Sequence, residues 1–368
     1  MKSILIVGGG LSGLVVANLL TKCAEVILIE KKYYPFHRVC GEYISNETIP
    51  FLQQHGLLPH FAALPKINTL WLTSVNGRKA ELALGLGGFG ISRYTLDHFL
   101  FHQALKNGVQ IFQGCEATSI NFSSERFLVE TTEKNFIADV VMGAFGKRSR
   151  LDKAMNRSFM QKKSPYVGVK YHLRTQHPNH VIALHNFKDG YCGISNVEDG
   201  KSTLCYLTHR NNLKVYKQIE VMERSVLHKN PYLKEIFCNA EFLYDKPETI
   251  NEISFETKTA VENHVLMCGD AAGMITPLCG NGMALAIHSA KIAAEQVTDF
   301  VEGKTSRAEL EHQYKQKWSQ LFAKRLWVGR QIQNLFGNEW TSDLAVNLAR
   351  YTPSVAGWLV KQTHGKPF

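Results

Sequence analysis

The chain lacks the features that mark membrane-spanning, metal-binding or secreted proteins. Its 368 residues contain no apolar run long enough to cross a bilayer. The eight cysteines include no C-x-x-C pair, and none stands at a zinc-ligand spacing from histidine. The first apolar run is short and is broken by glycines, unlike a signal peptide. We therefore expect a cytoplasmic protein with reduced thiols and no metal site.

Composition and charge are those of an ordinary globular protein with an excess of positive charge. Hydrophobic residues make up 45% and charged residues 20%, while the net charge is +10. A chain of this length can bury a large core in one domain or in two interleaved domains. No nucleic-acid-binding motif is present. The excess charge leaves an anionic partner open, such as a membrane surface or an acidic carrier.

One C-terminal segment mixes basic and aromatic residues more densely than the rest. A helix with a solvated basic face explains this pattern, and a peripheral membrane contact is the alternative. The sequence leaves the oligomeric state undetermined. The residues of this segment are Lys315, Lys317, Trp318, Lys324, Arg325, Trp327 and Arg330.

The first thirty residues predict a dinucleotide-binding unit. A short β-branched run, 3–7, precedes G-x-G-x-x-G at Gly8, Gly10 and Gly13, and a helical pattern follows. A second buried strand then ends on Glu30. In this order, the first glycine permits a tight turn, the second lets the backbone approach a pyrophosphate, and the third allows close packing. The N–H groups at the helix start, at Leu11 and Ser12, would face the phosphates.

Glu30 narrows the choice of dinucleotide. Its carboxylate can accept hydrogen bonds from ribose hydroxyls, and its negative charge would repel a 2′-phosphate. The unit therefore suits FAD or NAD better than NADP.

The rest of the chain predicts an α/β fold with an inserted sheet. Residues 160–255 alternate polar and apolar side chains, which is typical of antiparallel strands with one covered face. Another buried strand ends on Asp270 and is followed by a long helix. We predict three regions: a discontinuous FAD-binding domain (1–75, 88–160 and 256–303), an antiparallel-sheet substrate domain (161–255 with 76–87), and a C-terminal helical region (304–368).

Four further segments carry motifs. They are G-D-A-A-G at 269–273 with P-L-C-G-N-G-M at 277–283, R-Y-T-L-D at 93–97, C-G-E at 40–42, and G-A-F-G-K-R-S at 143–149. With the N-terminal glycines, they resemble the flavoprotein superfamily of para-hydroxybenzoate hydroxylase-like monooxygenases, geranylgeranyl reductases and flavin-dependent halogenases. The resemblance covers about residues 1–300 and is weak in the inserted sheet. It implies a Rossmann-type FAD-binding domain of the glutathione-reductase type.

The resemblance also implies where FAD lies. Asp270 would hydrogen-bond the ribityl chain, and Arg93 would reach the sugar-phosphate chain, whereas Asp97 would serve its own helix start. The segment around Cys40 would lie beside the isoalloxazine ring, and Ala117 would meet adenine through its backbone. The complete set implied to bind cofactor is Gly8, Gly10, Leu11, Ser12, Gly13, Glu30, Lys31, Arg38, Cys40, Gly41, Arg93, Ala117, Gly146, Asp270, Gly280, Gly282 and Met283.

Two positions leave the chemistry open. Cys40 is either a catalytic thiol or a small apolar filler, and a redox-active pair of Cys40 with Cys279 is a minor hypothesis. Phe145 stands where the monooxygenases carry an aspartate that contacts both FAD and pyridine nucleotide, so direct reduction by NADH or NADPH is in doubt.

We expect a monooxygenase that hydroxylates a hydrophobic or aromatic small molecule through a flavin C4a-hydroperoxide. The alternatives are an isoprenoid C=C reductase and an FAD-binding maturation or partner protein without turnover. The W-x-W-x-I-P motif of halogenases is absent. The substrate would lie between the flavin and the inserted sheet, near candidates on its strands: Tyr171, His172, His185, Tyr191, Tyr206 and His209.

Overall fold

The computed structural model describes residues 1–59, 64–162, 164–333, 336 and 338–368. The strands are β1 (Ser3–Val7), β2 (Glu25–Glu30), β3 (Tyr43–Ser45), β4 (Lys66–Thr73), β5 (Lys79–Gly90), β6 (Gln110–Gln113), β7 (Ala117–Ser123), β8 (Arg126–Thr131), β9 (Phe136–Ala138), β10 (Val140–Gly143), β11 (Tyr166–Arg174), β12 (Val181–Phe187), β13 (Gly190–Asn196), β14 (Ser202–His209), β15 (Glu241–Phe242), β16 (Glu248–Ile253), β17 (Val261–Glu262) and β18 (Val265–Met267). The helices are α1 (Leu11–Leu20), α2 (Ile49–Gln54), α3 (Arg93–Lys106), α4 (Arg150–Ala154), α5 (Arg210–Tyr216), α6 (Ile219–Val226), α7 (Pro231–Asn239), α8 (Gly282–Val301), α9 (Arg307–Gln333), α10 (Glu339–Tyr351) and α11 (Pro353–Thr363).

The N-terminal motif lies in a parallel sheet of Rossmann type. Its strand order is β17-β18-β10-β1-β2-β6, and β18, β10, β1, β2 and β6 run parallel. The side chains of Ile4, Leu5 and Ile6 are fully buried, as expected for a β-branched central strand covered on both faces. Helix α1 packs against α3 and α8. Because parallel strands end at one edge, the turns after β1, β10 and β18 meet there.

The inserted sheet, here called the large sheet, is antiparallel apart from one pair. Its order is β15-β11-β14-β13-β12-β4-β5-β3, with β16 also paired to β11, and only β12 and β4 of these described strands run parallel. Helices α6 and α7 cover one face through Met222, Val226 and Leu233. The predicted α/β class, with a Rossmann-type sheet and an inserted sheet, is confirmed.

Strand pairing departs from the predicted domain boundaries in the first hundred residues. Strands β3 and β4 belong to the large sheet, although both fall inside the segment 1–75 that we assigned to the FAD-binding domain. The boundary at 75 separates β4 from its partner β5, and the boundary at 88 cuts β5 itself. The sheet to which a strand belongs depends on the distant strand that pairs with it. The local alternation of polar and apolar residues does not identify that partner.

The C-terminal helices pack on both sheets. Helix α9 packs along α8, while α10 and α11 pack against the large sheet. A small apolar cluster joins Val346, Ala349 and Ala356 of these helices to Leu72 and Leu82. Within the described ranges, no helix is both long and apolar enough to span a membrane.

Candidate functional site

The turn between β1 and α1 needs glycine for two different reasons. At Gly8, where φ is +105°, a Cβ would lie 2.5 Å from the Ala144 carbonyl oxygen. At Gly13 a Cβ would lie 2.1 Å from the Gly8 carbonyl oxygen, so that glycine allows the helix to approach the strand. Both are explained by the protein alone.

Gly10 faces open space beside positive charge. It precedes α1 with φ of −78°, a value open to any residue, and a Cβ there would have no neighbour closer than 3.9 Å. The neighbours at that distance include the guanidinium groups of Arg38 and Arg93. The N–H groups of the first turn of α1 point the same way and favour an anion there. The fold therefore places positive charge beside Gly10, at the predicted pyrophosphate position.

Asp97 fixes the two arginines. The Arg93 Nε and Nη2 atoms each donate to Asp97 at 2.7 Å, and the Arg38 Nε donates to it at 3.2 Å. Burial alone would lower the pKa of Arg93, but Asp97 outweighs it and raises that pKa. The expectation that Asp97 serves its own helix start is wrong: the side chain of Ser92 caps α3.

Glu30 lies at the end of β2, in contact with the glycine turn. One carboxylate oxygen accepts from the Gly9 N–H at 2.9 Å and from Arg38 at 3.2 Å, and the other accepts from the Lys32 N–H at 3.0 Å. The carboxylate is therefore oriented within the fold itself. Lys31, predicted to bind cofactor, instead approaches Glu116 at 3.8 Å on the surface.

The predicted adenine region lies beyond Glu30. Ala117 is buried at the start of β7, paired with Thr131. A cavity of about 320 Å³ opens nearby, and it offers aromatic side chains and a lysine. Its lining is Tyr33, Phe112, Gln113, Cys115, Glu133 and Lys134.

Buried cations join the turns that follow β10 and β18. The Lys258 ammonium donates to the carbonyl oxygens of Lys147 at 2.6 Å and Asp270 at 2.7 Å. Burial lowers the pKa of Lys258 to about 8. Arg157 donates to the Ala271 carbonyl at 3.0 Å and to Asp152 at 2.8 Å. Sequence reasoning missed both residues because no motif surrounds them; only the fold brings them to these turns.

The Asp270 side chain lies half-buried at the edge of the cleft. Burial raises the pKa of its carboxyl group, and Lys258, Lys147 and Arg93 act in the opposite direction. Ser12 joins this turn to the first one, because a Cβ on Gly269 would lie 2.7 Å from the Ser12 Oγ. The predicted nucleotide and ribityl segments are therefore neighbours in the fold.

Several glycines in the motifs face space that the protein does not fill. A Cβ on Gly41 or Gly146 would meet nothing within 4 Å, and one on Gly282 would meet nothing closer than 3.8 Å. At Gly280, where φ is +63°, the nearest atom is on the Tyr43 ring at 3.5 Å. Positive φ explains glycine at positions 146 and 280. Packing and conformation leave glycine at 10, 41 and 282 unexplained.

The other two predicted contacts at helix starts have buried side chains. Leu11 and Met283 both belong to the main hydrophobic core. Only their backbone groups, in the first turns of α1 and α8, can face the cleft.

Glu42 holds the Cys40 segment against the large sheet. It has φ of +54° and forms an ion pair with Lys170, accepts from His172 at 2.6 Å and accepts from the Arg93 N–H at 2.8 Å. Burial on its own would raise the pKa of Glu42, but Lys170 and His172 outweigh it and hold that pKa at about 2. Glu42 thus ties the segment to α3 and β11 at once. Glu42 belongs to the C-G-E motif, but the sequence alone predicted no role for it.

The two cysteines of the predicted site are free thiols. Burial raises the pKa of Cys40, and it raises that of Cys279 to about 11. Both are therefore protonated at neutral pH, which disfavours nucleophilic and thiol–disulfide chemistry.

An apolar cluster, here called the inner apolar cluster, lies between the large sheet and the loop before α8. Tyr191, Leu207, Ile253 and Leu278 are buried in it, and Phe336 packs against them. Of the side chains proposed to line a substrate site, Tyr191 lies here. His172 instead binds Glu42.

The other four candidates point elsewhere. Tyr171 and Tyr206 donate to Glu223 at 2.8 and 2.7 Å beneath α6. His185 lies 2.9 Å from the Thr73 hydroxyl, and His209 caps α5. Strand alternation separates these side chains, but sequence alone did not indicate which face was covered by helices.

Among the described residues, no group of three or more His, Cys, Asp or Glu side chains is placed to hold a metal ion.

The sheet order, the glycine turns and the cationic space define a Rossmann-type dinucleotide-binding protein. Residues 1–326 match the FAD binding domain family, and the chain belongs to that family. It is an FAD-dependent enzyme, and FAD is its cofactor. FAD fits the space beside Gly10, Gly41 and Gly282. Contact with a bound ligand would explain why these positions are glycine, which packing within the protein does not explain.

Two curated relatives come from branches of the superfamily that the motifs predict. A tryptophan 2-halogenase from Chondromyces crocatus is 22% identical, over 92% of this chain and 70% of its own length. A digeranylgeranylglycerophospholipid reductase from Methanosarcina acetivorans is 23% identical, over 93% of this chain and 86% of its own. The predicted superfamily is confirmed.

Solved structures show the same fold. The flavin-dependent brominase Bmp2 superposes with a TM-score of 0.79 at 16% identity, covering 98% of this chain and 93% of its own. A geranylgeranyl bacteriochlorophyll reductase-like protein from Thermoplasma acidophilum has a TM-score of 0.77 at 17% identity, covering 98% and 95%. At these identities the likeness concerns the fold.

Proposed function

We propose that the chain is an FAD-dependent monooxygenase that hydroxylates a hydrophobic or aromatic small molecule. The inner apolar cluster carries the proposal: Tyr191, Leu207, Ile253 and Leu278 are buried beside the glycine loop of α8. A reaction that activates oxygen on a reduced flavin needs surroundings that exclude water, since water destroys the reactive species.

The residues that would hold FAD follow from the geometry. The first turn of α1, with Arg38 and Arg93, would bind the pyrophosphate, and Glu30 would accept from ribose hydroxyls. Asp270 would accept from the ribityl chain. The start of α8 at Gly282 would direct N–H groups at the ring, where negative charge develops on reduction.

When bound, FAD supplies the redox chemistry by passing electrons from a donor to oxygen. The protein supplies position, dryness and protons. In the overall balance, one atom of O₂ enters the substrate and the other leaves as water, with two electrons and two protons from the donor. Cys40, kept neutral by burial, would hold a proton beside the ring. The apolar side chains of the inner apolar cluster would favour an apolar substrate.

The electron donor follows from position 145. Phe145 packs against Gly143, whose Cβ would lie 2.9 Å from its ring, so an aromatic side chain occupies this turn. We propose that NADH and NADPH reduce the bound flavin slowly and that a separate reductase serves as donor.

A second candidate is reduction of a carbon–carbon double bond in an isoprenoid. The neutral thiol of Cys40, next to the open position at Gly41, favours it, because that reaction needs a proton donor beside the hydride donor. The inner apolar cluster would offer an apolar surface to such a substrate equally well. Similarity to a digeranylgeranylglycerophospholipid reductase over 86% of that protein's length supports this candidate too.

Oxygen dependence separates the two. Photoreduced holoenzyme is mixed with indole or geranylgeraniol, with and without oxygen and with chloride or bromide, and products are identified by mass spectrometry. Monooxygenation predicts a product that gains one oxygen atom only in air. A product that gains two hydrogens without oxygen would assign the reductase, and a halogenated product would assign a halogenase.

A control addresses the possibility of no turnover. Cys40→Ser keeps a small polar side chain and Cys40→Ala removes the proton, so the reductase predicts activity in the first variant only. If neither probe reacts and reduced holoenzyme fails to reduce oxygen, the non-catalytic flavoprotein replaces both candidates. Rapid bleaching of the flavin by NADH or NADPH would contradict the proposed donor.

A further inference from the structure

The C-terminal helices expose an apolar stripe that none of the described residues covers. On α10, Trp340, Leu344, Leu348 and Tyr351 stand at helical spacing on one side, and Trp340 is 77% exposed. The opposite side of the same helix buries Val346 and Ala349 against the large sheet. Helix α10 therefore has two apolar sides, only one of which serves the fold.

The stripe continues onto α11. Val355 and Trp358 are exposed there, Trp358 at 59%, and α11 packs against α10. We call these residues the docking face: Trp340, Leu344, Leu348, Tyr351, Val355 and Trp358. Contiguous exposed apolar residues of this size mark an interaction surface.

Basic residues outnumber acidic ones around the docking face. Residues 338–368 contain three lysines and arginines against two acidic residues. Arg350, Lys361 and Lys366 are exposed on or beside the two helices. Asp343, one of the two acids, is already paired with Arg78 at 3.8 Å. The surface is therefore cationic around an apolar centre rich in tryptophan.

This chemistry fits an anionic lipid surface. Tryptophan and tyrosine prefer the boundary between headgroups and acyl chains, and lysine and arginine bind anionic headgroups. A second copy fits less well, because a two-fold contact would bring Arg350 and Lys361 of both copies together without acidic partners. The basic segment that we noted in the sequence, 315–330, lies on α9; the exposed aromatic residues lie mainly on α10 and α11.

The docking face adjoins the inner apolar cluster. Phe336 packs against Tyr191, with ring centroids 6.2 Å apart, and it lies four residues before Trp340. Ile332 of α9 packs on the same cluster. Apolar side chains thus connect the inner apolar cluster to the docking face.

We propose that the docking face binds the surface of an anionic lipid membrane, with α10 and α11 lying in the interface. The protein would remain peripheral, with basic residues on the headgroups and tryptophan rings among the outer acyl segments. The proposal does not depend on which reaction the flavin performs, since binding is measured without turnover.

The test is co-sedimentation of FAD-loaded enzyme with vesicles of phosphatidylcholine alone or mixed with phosphatidylglycerol. We expect retention on the mixed vesicles, a blue shift of tryptophan emission, and loss of binding in high salt. Leu344→Ser with Leu348→Ser should weaken partitioning about tenfold or more, since two apolar side chains no longer enter the interface. Arg350→Gln with Lys361→Gln should weaken it on mixed vesicles.

A matched control separates the docking face from apolar exposure in general. Val215→Ser with Ile137→Ser replaces residues that are 69% and 56% exposed elsewhere and should leave binding unchanged. All variants should keep the FAD spectrum and melting temperature. Absence of wild-type binding to mixed vesicles would overturn the proposal, as would equal binding to neutral vesicles. A dimer that the leucine variants dissociate, without vesicle binding, would assign the face to a second copy.

Discussion

Gly10 is the residue at which cofactor binding and folding separate. A Cβ there meets nothing closer than 3.9 Å in the protein, so Gly10→Val should change the free energy of unfolding of the apoprotein by less than about 1 kcal/mol. The valine methyl groups would instead occupy the space of the pyrophosphate. We expect FAD affinity to fall by about 100-fold or more, measured by fluorescence titration.

Gly357 supplies the control for this substitution. It lies in α11, and a Cβ there would meet nothing within 4 Å. Gly357→Ala should leave FAD affinity unchanged. A Gly10→Val protein that stays yellow through gel filtration would refute the assignment of the pyrophosphate site.

Glu42 makes stability depend on acid pH. Its pKa of about 2 lies below its ordinary value of 4.5, so the folded state favours the ionised form. The stabilisation is complete above 4.5 and is lost as the pH falls towards 2. Glu42→Gln leaves the Lys170 ammonium buried without its counter-charge and should destabilise the protein by about 3–5 kcal/mol in urea unfolding.

The double variant Glu42→Gln with Lys170→Met tests whether the unpaired charge causes this loss. It removes both charges, so it should recover much of the stability lost in the single variant. Equal destabilisation in both proteins would show that hydrogen bonds to His172 and Arg93 matter more than the ion pair.

At this scale the motifs predicted positions better than partners. Gly10, Glu30, Arg93 and Asp270 all lie around one cleft, because short spacing rules fix glycine turns and strand ends. Asp97 was assigned to the wrong partner. One real partner, Arg93, stands four residues earlier on the same helix, and the other, Arg38, is 59 residues away, a contact that no local pattern reports.

Helix α6 is fastened to the large sheet by a carboxyl group in an apolar setting. Glu223 is 5% exposed and accepts from the hydroxyls of Tyr171 and Tyr206. Burial raises the pKa of Glu223 to about 7 from an ordinary value of 4.5. Because the unfolded state releases this proton first, the stabilisation is complete below 4.5 and is lost as the pH rises through 7.

The effect of Glu223→Gln on stability should therefore depend on pH across this range. Glutamine keeps an oxygen acceptor for the tyrosines but cannot ionise, so the variant should exceed the wild type in stability above pH 7. The advantage should shrink towards 4.5, as followed by urea unfolding. Parallel stability profiles of the two proteins would contradict this role of the carboxyl group.

At the scale of elements, it was easier to predict which segments form strands than to predict which sheet each strand joins. The alternation in 160–255 indicated the strands β11 to β14 correctly. It could not show that β3 and β4 join the same sheet, since their partners lie far along the chain. Nor could it show that α10 has a second apolar side, because an exposed stripe and a core stripe have the same spacing.

The whole molecule should respond to FAD as one unit. The predicted contacts come from turns of the Rossmann-type sheet and from the Cys40 segment, which Glu42 fastens to the large sheet. FAD at 100 times its dissociation constant should add about 2.7 kcal/mol to the free energy of unfolding. Hydrogen exchange should slow in both sheets. The Gly10→Val protein should show neither effect, and protection confined to the Rossmann-type sheet would contradict the coupling.

The order of the strands along the chain also determines when each part of the predicted FAD site is translated. Strand β1 and its glycines leave the ribosome well before β10 and β18, which extend the sheet on its other side, and before the start of α8. A nascent polypeptide that stops before Gly269 has all the strands of the Rossmann-type sheet but lacks Asp270 and the start of α8, so it holds only part of the predicted binding site. Flavin can therefore reach all of its predicted contacts only after the first turn of α8 has been translated.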